Sequence, residues 1–346
     1  MTKLYIATEE ALAVAQQHNG EWAVDLQITG SKPMCVAVDT QRPQHVYCGT
    51  FDKGLWSSKD AGKTWEHVGS GITHEAVMSV AISTTERAGD YGVVYAGTEP
   101  SALFRSEDGG NAWQDLASLR QLPSAPTWSF PPRPYTSHVR WITPDPLVTG
   151  RVYAAVEAGA LLRSLDGGQT WEDRKPTGPF DTHTLVMHRL APNKLYSAAG
   201  DGFMRPGQGF VESDDGGETW YRPDEGLQHH YLWSVAADPA DPMTVVISAA
   251  HSPQHAHNPQ SAESAIYRRS AGENQWQQVQ DGFPEPRGLL TSVLATHEPE
   301  PGIFYAANNK GVFRSADAGL SWTALPIRWP QNFRLGRAHG LVVVQE

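Results

Sequence analysis

The chain contains 346 residues, with 38 acidic and 27 basic side chains and a formal net charge of −11. Nucleic acid and anionic membrane surfaces are therefore not expected partners, because both would need a basic patch that the sequence lacks. The N-terminal sequence has neither a signal-peptide pattern nor about 20 consecutive apolar residues, so we expect no export and no membrane span.

The chain has two cysteines, Cys35 and Cys48. They fall in two strands that we expect to pair in one sheet, so the two thiols could be neighbours. Neither belongs to a CxxC pair or to a metal-binding spacing. We expect free thiols in a cytoplasmic protein, because the cytoplasm is reducing.

Short apolar segments separated by turns follow one another along the chain and predict an all-β fold. Three of them, at residues 4–8, 12–17 and 22–28, come first, and a lone segment at residues 340–345 comes last. Between them, one unit of four strands repeats six times, with a second strand of the VYAGT type. These second strands lie at residues 46–50, 94–98, 152–156, 195–199, 246–250 and 304–308.

The three N-terminal segments lack an inner strand, and the C-terminal segment supplies one. Pairing the two ends would complete a seventh sheet and leave no open edge. We therefore predict a seven-bladed β-propeller of four-stranded antiparallel blades, closed by its N- and C-terminal strands. It forms one domain over residues 1–346, in which residues 1–28 and 340–346 share blade 7.

An eight-residue motif, S-x-D-x-G-x-T-W, recurs between the third and fourth strands. Asp166, in the copy at residues 164–171, has the surroundings of a catalytic acid, but five such acids in one chain are not expected. Instead, the aspartate would accept turn hydrogen bonds, glycine would supply a positive φ, and tryptophan would pack between sheets. Successive tryptophans lie 46 to 58 residues apart, the period of a four-stranded blade. The other copies lie at residues 58–65, 106–113, 213–220 and 315–322, with a shortened one at 270–276.

These copies resemble the Asp-box, or bacterial neuraminidase repeat, of the sialidase-type β-propellers. The resemblance implies the propeller fold and leaves the function open, because Asp-box propellers include hydrolases, lyases, receptors and assembly factors. True sialidases carry an early F/Y-R-I-P motif on six blades, whereas the closest string here is FRLG at residues 333–336, late and without the proline. We expect a single-propeller member that is not a sialidase.

Three kinds of relative imply three functions. Xyloglucan-active glycosidases use paired carboxylates between two propellers, and Glu99 and Glu157 are the candidates for that role in this single propeller. Oligogalacturonate-type lyases are similar in their histidine-lined centre, where a histidine-bound metal acidifies a proton beside a uronate carboxylate. The photosystem II assembly factor implies a non-catalytic, protein-binding scaffold, although its binding face is basic and this chain is acidic.

Long loops on the face opposite the aspartate turns predict a walled pocket over the central channel. The excess of loop sequence lies near blades 3 to 5. Imidazole and carboxylate side chains occupy equivalent positions in different blades, where the inner strands enter the channel. We therefore expect these side chains to lie at the same height and to converge. The long loops comprise residues 118–137, 201–209, 252–263 and 326–338.

We expect this pocket to bind a small polar or saccharide-like ligand, for a hydrolase or lyase reaction, with a protein-binding scaffold as the alternative. Neutral histidines can hold a divalent cation such as Zn²⁺ or Mn²⁺, and histidine with a carboxylate can transfer protons. Histidines that only bind channel water are the simpler interpretation. The predicted roles are metal ligand for His138, His183 and His251, base for Asp181, acid for His230, anion partner for Arg337, floor for Trp233, and ligand contact for Glu157, Glu99, Trp128 and His339.

The Pro-rich loop at residues 118–137 also contains Trp128, Phe130 and Tyr135. Their rings could form a lid or a stacking wall for a sugar ring. Packing of these rings against the rim of the propeller is the alternative interpretation.

The turn interpretation of Asp166 predicts that Asp166→Ala lowers the free energy of unfolding by about 1 kcal/mol for each lost hydrogen bond and leaves activity unchanged. Urea denaturation measures the loss, and Asp60→Ala, in the copy at residues 58–65, should behave alike. Loss of activity at unchanged stability would instead make Asp166 catalytic.

Overall fold

The computed structural model describes residues 1–133 and 136–345 and contains seven antiparallel sheets. Their strands are short because turns rich in Gly, Asp and Pro interrupt the apolar runs. Second strands such as Val152–Val156 are buried along their whole length, since each sheet is covered on both faces. Tyr135, which we predicted in the aromatic lid, lies outside the described residues.

The sheets are the seven predicted blades, each with its first strand at the centre. In blades 3 and 4 the fourth strand is reduced to one bridge, Arg163 with Glu172 and Glu212 with Tyr221. From the centre outward, the strands are Pro33–Val38, Val46–Thr50, Leu55–Ser58 and Glu66–His67 in blade 1; Ala76–Ala88, Tyr91–Glu99, Leu103–Ser106 and Gln114–Asp115 in blade 2; Val139–Pro144, Val152–Val156 and Ala160–Ser164 in blade 3; Thr182–His188, Ala191–Ala199 and Phe210–Ser213 in blade 4; Tyr231–Asp238, Asp241–Ala250, Ser264–Arg269 and Gln277–Val279 in blade 5; Val293–Ala295, Phe304–Asn308, Gly311–Ser315 and Thr323–Ala324 in blade 6; and Ala338–Gln345, Thr2–Thr8, Leu12–His18 and Glu21–Gln27 in blade 7.

The predicted closure of the ring is confirmed. Strand Thr2–Thr8 pairs with Ala338–Gln345, with Leu4 opposite Val343 and Ala7 opposite Gly340. The closing strand begins two residues before the predicted position 340. Each inner strand contacts the inner strands of both neighbouring blades, so the seven form a continuous wall around a central channel.

The helices are short and lie in the loops. One α-helix spans Pro253–His257, and 3₁₀ helices span Ala117–Gln121, Ala125–Thr127 and Gly200–Phe203. Among the described residues, none of these helices is long and apolar enough to cross a membrane.

The aspartate turns have the expected hydrogen bonds. The Asp166 carboxylate accepts from the Ser164 hydroxyl at 2.8 Å and from the N–H and hydroxyl of Thr170 at 2.9 and 2.6 Å. The N–H of Gly168, which has a φ of +89°, donates to the Ser164 hydroxyl at 2.8 Å. Because these bonds close the loop between the third and fourth strands, Asp166 has a structural role there.

Antiparallel order places these turns at one end of the blades, here named the lower face, together with the loops between first and second strands. The upper face carries the loops that enter each first strand and those between second and third strands. Residues that precede a first strand or follow a second strand therefore meet at the upper face.

Deleting residues 340–346 should lower the thermal transition of the whole chain, because strand Thr2–Thr8 would become an open edge. Differential scanning calorimetry measures the change. Gln345→Ala, at the exposed end of the same strand, is the control and should leave the transition in place. An unaltered transition in the deletion variant would contradict the closure.

Candidate functional site

A polar cluster lies at the upper face where blades 2, 3 and 4 meet, and we call it the upper cluster. It comprises Glu99, His138, Glu157, Asp181 and His183. His138 directly precedes the first strand of blade 3, and Glu157 directly follows its second strand. The propeller topology thus brings residues distant in sequence to one place, as the alignment of inner strands predicted.

One half of the cluster is a chain of contacts from Glu157 through His138 and Glu99 to Arg133. The Nε2 atom of His138 lies 2.7 Å from Oε2 of Glu157, and its Nδ1 lies 3.5 Å from Oε2 of Glu99. The same Glu99 oxygen accepts from Nη1 of Arg133 at 2.5 Å. His138 is 1% exposed and Glu157 7%, so most of this chain is shielded from water.

The other half contains three acceptor atoms that face one another. His183 is fully buried, and its Nδ1 lies 2.6 Å from the backbone oxygen of Leu232. Nδ1 must donate there, so Nε2 carries a lone pair when the ring is neutral and a proton when the ring is charged, and the Tyr231 hydroxyl lies 3.5 Å from it. Nε2 lies 3.7 Å from Oε1 of Glu157 and 3.7 Å from Oδ2 of Asp181. Such a set repels itself unless a cation or a proton lies between the atoms.

Burial and charge act differently on the two carboxyl groups. Burial would raise the pKa of Glu157, but the attraction and hydrogen bond of His138, with His183 and Arg140, outweigh it and hold that pKa well below its usual range. Burial raises the pKa of Asp181 to about 6, against the opposing attraction of His183. Of the two carboxyl groups, Asp181 is therefore the one that takes up a proton more readily.

His251 is the predicted metal ligand that the structure places elsewhere. Its exposed ring lies 4.0 Å from the ring of His229 and 5.9 Å from that of His255, in a separate histidine group at blade 5. Within the described residues, the group able to surround a metal is Glu157, Asp181 and His183, whose ligand atoms lie within 4.8 Å of one another. Of the three predicted histidines, His183 alone belongs to it.

The predicted acid His230 also lies outside the upper cluster, and its ring contacts the loop that contains Gly207. Its Nδ1 accepts the N–H of Gly207 at 3.4 Å.

Trp128 is 8% exposed and packs in the core between blades 2 and 3, where its indole N–H donates to Ser124 at 2.9 Å. Packing, the alternative interpretation, therefore holds for Trp128, whereas the ring of Phe130 lies 4.9 Å from that of His138.

The remaining predicted residues surround the inner side of the cluster. Trp233 is 3% exposed, with the guanidinium groups of Arg140 and Arg337 at 4.6 and 4.7 Å from a ring centre. His339 is buried and faces the channel beside Arg140. Trp233 is thus a floor for two cations, a more specific position than the sequence indicated.

Three residues in or beside the upper cluster were not among the predicted site residues. Arg133 comes from the long loop before blade 3. Arg140 lies at the β-bulge between Val139 and Trp141 in the first strand of blade 3, an irregularity that the sequence does not reveal. The third is His257, whose Nε2 lies 3.1 Å from the Tyr231 hydroxyl and whose ring lies 4.3 Å from that of Trp233.

Buried His229 predicts a loss of stability in acid. Burial, aided by the nearby rings of His251, His230 and His255, lowers the pKa of His229 to about 4. The unfolded chain takes up this proton below about 6.5, so the free energy of unfolding should fall between pH 6.5 and 4 by up to about 1.4 kcal/mol per pH unit. Urea denaturation should give a flatter pH profile for His229→Gln than for the exposed-site control His18→Gln. Equal profiles would contradict the assignment.

No family model and no curated protein matches the sequence. A GH74 enzyme from Niastella koreensis is similar in structure, with a TM-score of 0.67 and 18% identity over 92% of this chain and 51% of that one. YCF48 bound to D1 peptide gives a TM-score of 0.57 and 18% identity over 89% of this chain and 86% of that one. The WD40 β-propeller domain of Doa1 gives 0.59 and 11% over 90% and 88%. The chain spans about half the length of the GH74 enzyme, and at these identities the similarity shows the β-propeller fold alone.

Proposed function

We propose that the upper cluster binds a divalent cation and supports a hydrolase or lyase reaction on an acidic, saccharide-like ligand. The observation that carries this proposal is the convergence of acceptor atoms from Glu157, Asp181 and His183 within 4.8 Å. Two carboxylate oxygens and one imidazole nitrogen suit Mn²⁺ or Zn²⁺. A cation between them would remove their mutual repulsion.

The orientation of His183 supports the same conclusion. Histidines that bind metals through one nitrogen commonly donate the other N–H to a carbonyl or carboxylate, which fixes the tautomer. The bond from Nδ1 to the Leu232 oxygen has this form. Asp181 is held as well, because its Oδ1 accepts the N–H of Ala158 at 2.8 Å and leaves Oδ2 towards His183.

When bound, the cation would polarise a ligand oxygen as a Lewis acid. Among the side chains beside it, His138 is the one we assign to proton transfer, because its two ring nitrogens face Glu157 and Glu99. This assignment replaces His230. Glu99 would orient His138, and Arg133 would position Glu99 through their ion pair.

Arg133 and its aromatic neighbours indicate the class of ligand. The Arg133 side chain is 32% exposed, and its guanidinium lies 4.9 Å from the ring of Phe51 and 5.7 Å from that of Phe130. A cation beside aromatic rings suits a sugar that carries a carboxylate, because the rings can pack on the sugar and the guanidinium can pair with the anion. The exposed fraction of the Asp181 side chain, 21%, provides the adjoining point of access.

A protein partner is the second candidate, and exposed apolar side chains near the same rim favour it. Phe180, Phe203 and Met204 are 42%, 47% and 78% exposed. Phe203 ends the 3₁₀ helix that follows the second strand of blade 4, so these side chains lie on the upper face. Such a patch would contact a peptide and needs no cation.

The repeated aspartate turns support placing the chain with the Asp-box propellers. Two free thiols, Cys35 and Cys48, support a cytoplasmic location, because the cytoplasm is reducing.

Metal analysis tests the proposal. The purified protein, dialysed against Mn²⁺ or Zn²⁺ and then against buffer, should retain bound metal, and calorimetric titration should give saturable binding. Asp181→Asn with His183→Gln should weaken that binding by more than about 100-fold, since even outer partners of metal ligands contribute about 10- to 100-fold. His251→Gln is the matched control and should bind as the natural protein does.

The ligand is tested on the metal-loaded protein. Acidic oligosaccharides should raise the thermal transition more than neutral ones of equal length, and Arg133→Gln should abolish the difference. Retention of no metal by the natural protein, or equal binding by the double variant, would refute the cation site. A shift produced by peptides and by no saccharide would favour the protein-binding alternative.

A further inference from the structure

The central channel is a second cavity system, which adjoins the upper cluster at Arg140. Its upper section has a volume of about 340 Å³, and a lower section of about 530 Å³ reaches the loops of the lower face. Both volumes are in the range of small-molecule sites, about 300–1,000 Å³. Apolar side chains from five blades line both sections, namely Val38, Val186, Ala295, Leu341 and Val342 with Ala237.

The upper end of this apolar channel carries a buried guanidinium and a buried imidazole that each have a nitrogen without a hydrogen-bond partner. Arg140 is 4% exposed and His339 7%, and both line the upper section. Nε of Arg140, Nε of Arg337 and Nε2 of His339 have no hydrogen-bond partner in residues 1–133 and 136–345. Buried nitrogen donors of this kind are almost always paired, because an unpaired one costs about 1–3 kcal/mol or more.

The nearby carboxylate of Glu157 forms an ion pair with Arg140 but no hydrogen bond. Nε of Arg140 lies 3.7 Å from Oε2 of Glu157, beyond hydrogen-bonding distance, and that oxygen already accepts from His138. Arg337 packs on Trp233 and has no ion pair with any described residue. Burial lowers the pKa of Arg140 against the opposing attraction of Glu157, and it lowers that of Arg337 to about 10.

We propose that the channel binds an amphipathic monocarboxylate, with its carboxylate at Arg140 and His339 and its unbranched apolar tail along the channel towards the lower face. The planar guanidinium matches a carboxylate with two parallel hydrogen bonds. His339, buried and neutral, can donate from Nε2. The tail replaces water along a wall of Val, Leu and Ala side chains, which is the favourable transfer that apolar burial provides.

This ligand would enter from the face opposite the upper cluster. The lower section opens among loops that contain Thr40, Pro146, Arg189 and Glu298. A ligand seated there needs none of Asp181, His183 or a metal ion. The two proposals can therefore fail separately.

Isothermal titration with decanoate tests the inference, with decanol and acetate as the ligands that lack the head group or the tail. Decanoate should bind at least about 10-fold more tightly than either, because only it satisfies both ends of the channel. Arg140→Gln should weaken decanoate binding by roughly 10- to 100-fold, the range for one charge-assisted hydrogen bond. Decyl phosphate serves to distinguish a carboxylate site from a general anion site, and the proposal expects the weaker affinity for the phosphate.

Ala295→Phe is the second variant, chosen because Ala295 lines both sections of the channel and lies far in sequence from the upper cluster. It should block decanoate binding while metal retention stays unchanged. Ala23→Phe, on the outermost strand of blade 7, is the matched control and should bind decanoate normally. Equal affinities for decanoate and decanol, or undiminished decanoate binding by Ala295→Phe, would overturn the proposal.

Discussion

Antiparallel pairing between the two ends of the chain is the interaction on which the other features depend. The bonds between Thr2–Thr8 and Ala338–Gln345 turn an open row of sheets into a ring. Without the ring there is no channel, and the inner strands would not converge. The closing strand also contains His339, so the segment that completes the wall supplies one of the side chains that line the upper section of the channel.

The aspartate turns keep neighbouring blades in register. The hydroxyl of Tyr5 in blade 7 donates to the backbone oxygen of Ala61, in the aspartate turn of blade 1, at 2.9 Å. Tyr153 of blade 3 donates in the same way to Gly216, in the turn of blade 4, at 2.8 Å. Both tyrosines are buried. In each case the aspartate carboxylate closes the turn, and a backbone oxygen of that turn accepts a hydrogen bond from the neighbouring blade. Repetition of the motif thus reflects repetition of an interface.

The fold could be predicted because its determinants are local and repeated. Strand length, turn residues and the tryptophan period all recur, and the missing inner strand at the start matched the extra strand at the end. The same regularity predicted that His138, Glu157, Asp181 and His183 would meet, because position along an inner or second strand determines height in the channel. Roles could not be assigned in this way, since they depend on which atoms face each other.

Errors concentrated in the long loops, where regular geometry gives no guide. The segment at residues 251–257 contains three histidines, and we selected His251 because it follows a strand. A short helix, begun by Ser252 accepting the N–H of His255, instead carries His257 to Trp233 and leaves His251 with His229. Trp128 was assigned to ligand contact for its aromatic ring, yet the 3₁₀ helix before it turns that ring into the core. Short helices that redirect side chains within a loop depend on tertiary contacts that a single sequence does not reveal.

The acceptor that orients His183 has a consequence for how the site tolerates change. It belongs to the main chain of Leu232, on the inner strand of the next blade. A substitution at residue 232 replaces the side chain and leaves the carbonyl group in place. The tautomer of His183 therefore does not depend on which side chain residue 232 carries. Only a shift of blade 5 relative to blade 4 would remove that hydrogen bond. The position of the proton on the His183 ring therefore depends on the distance between these two blades.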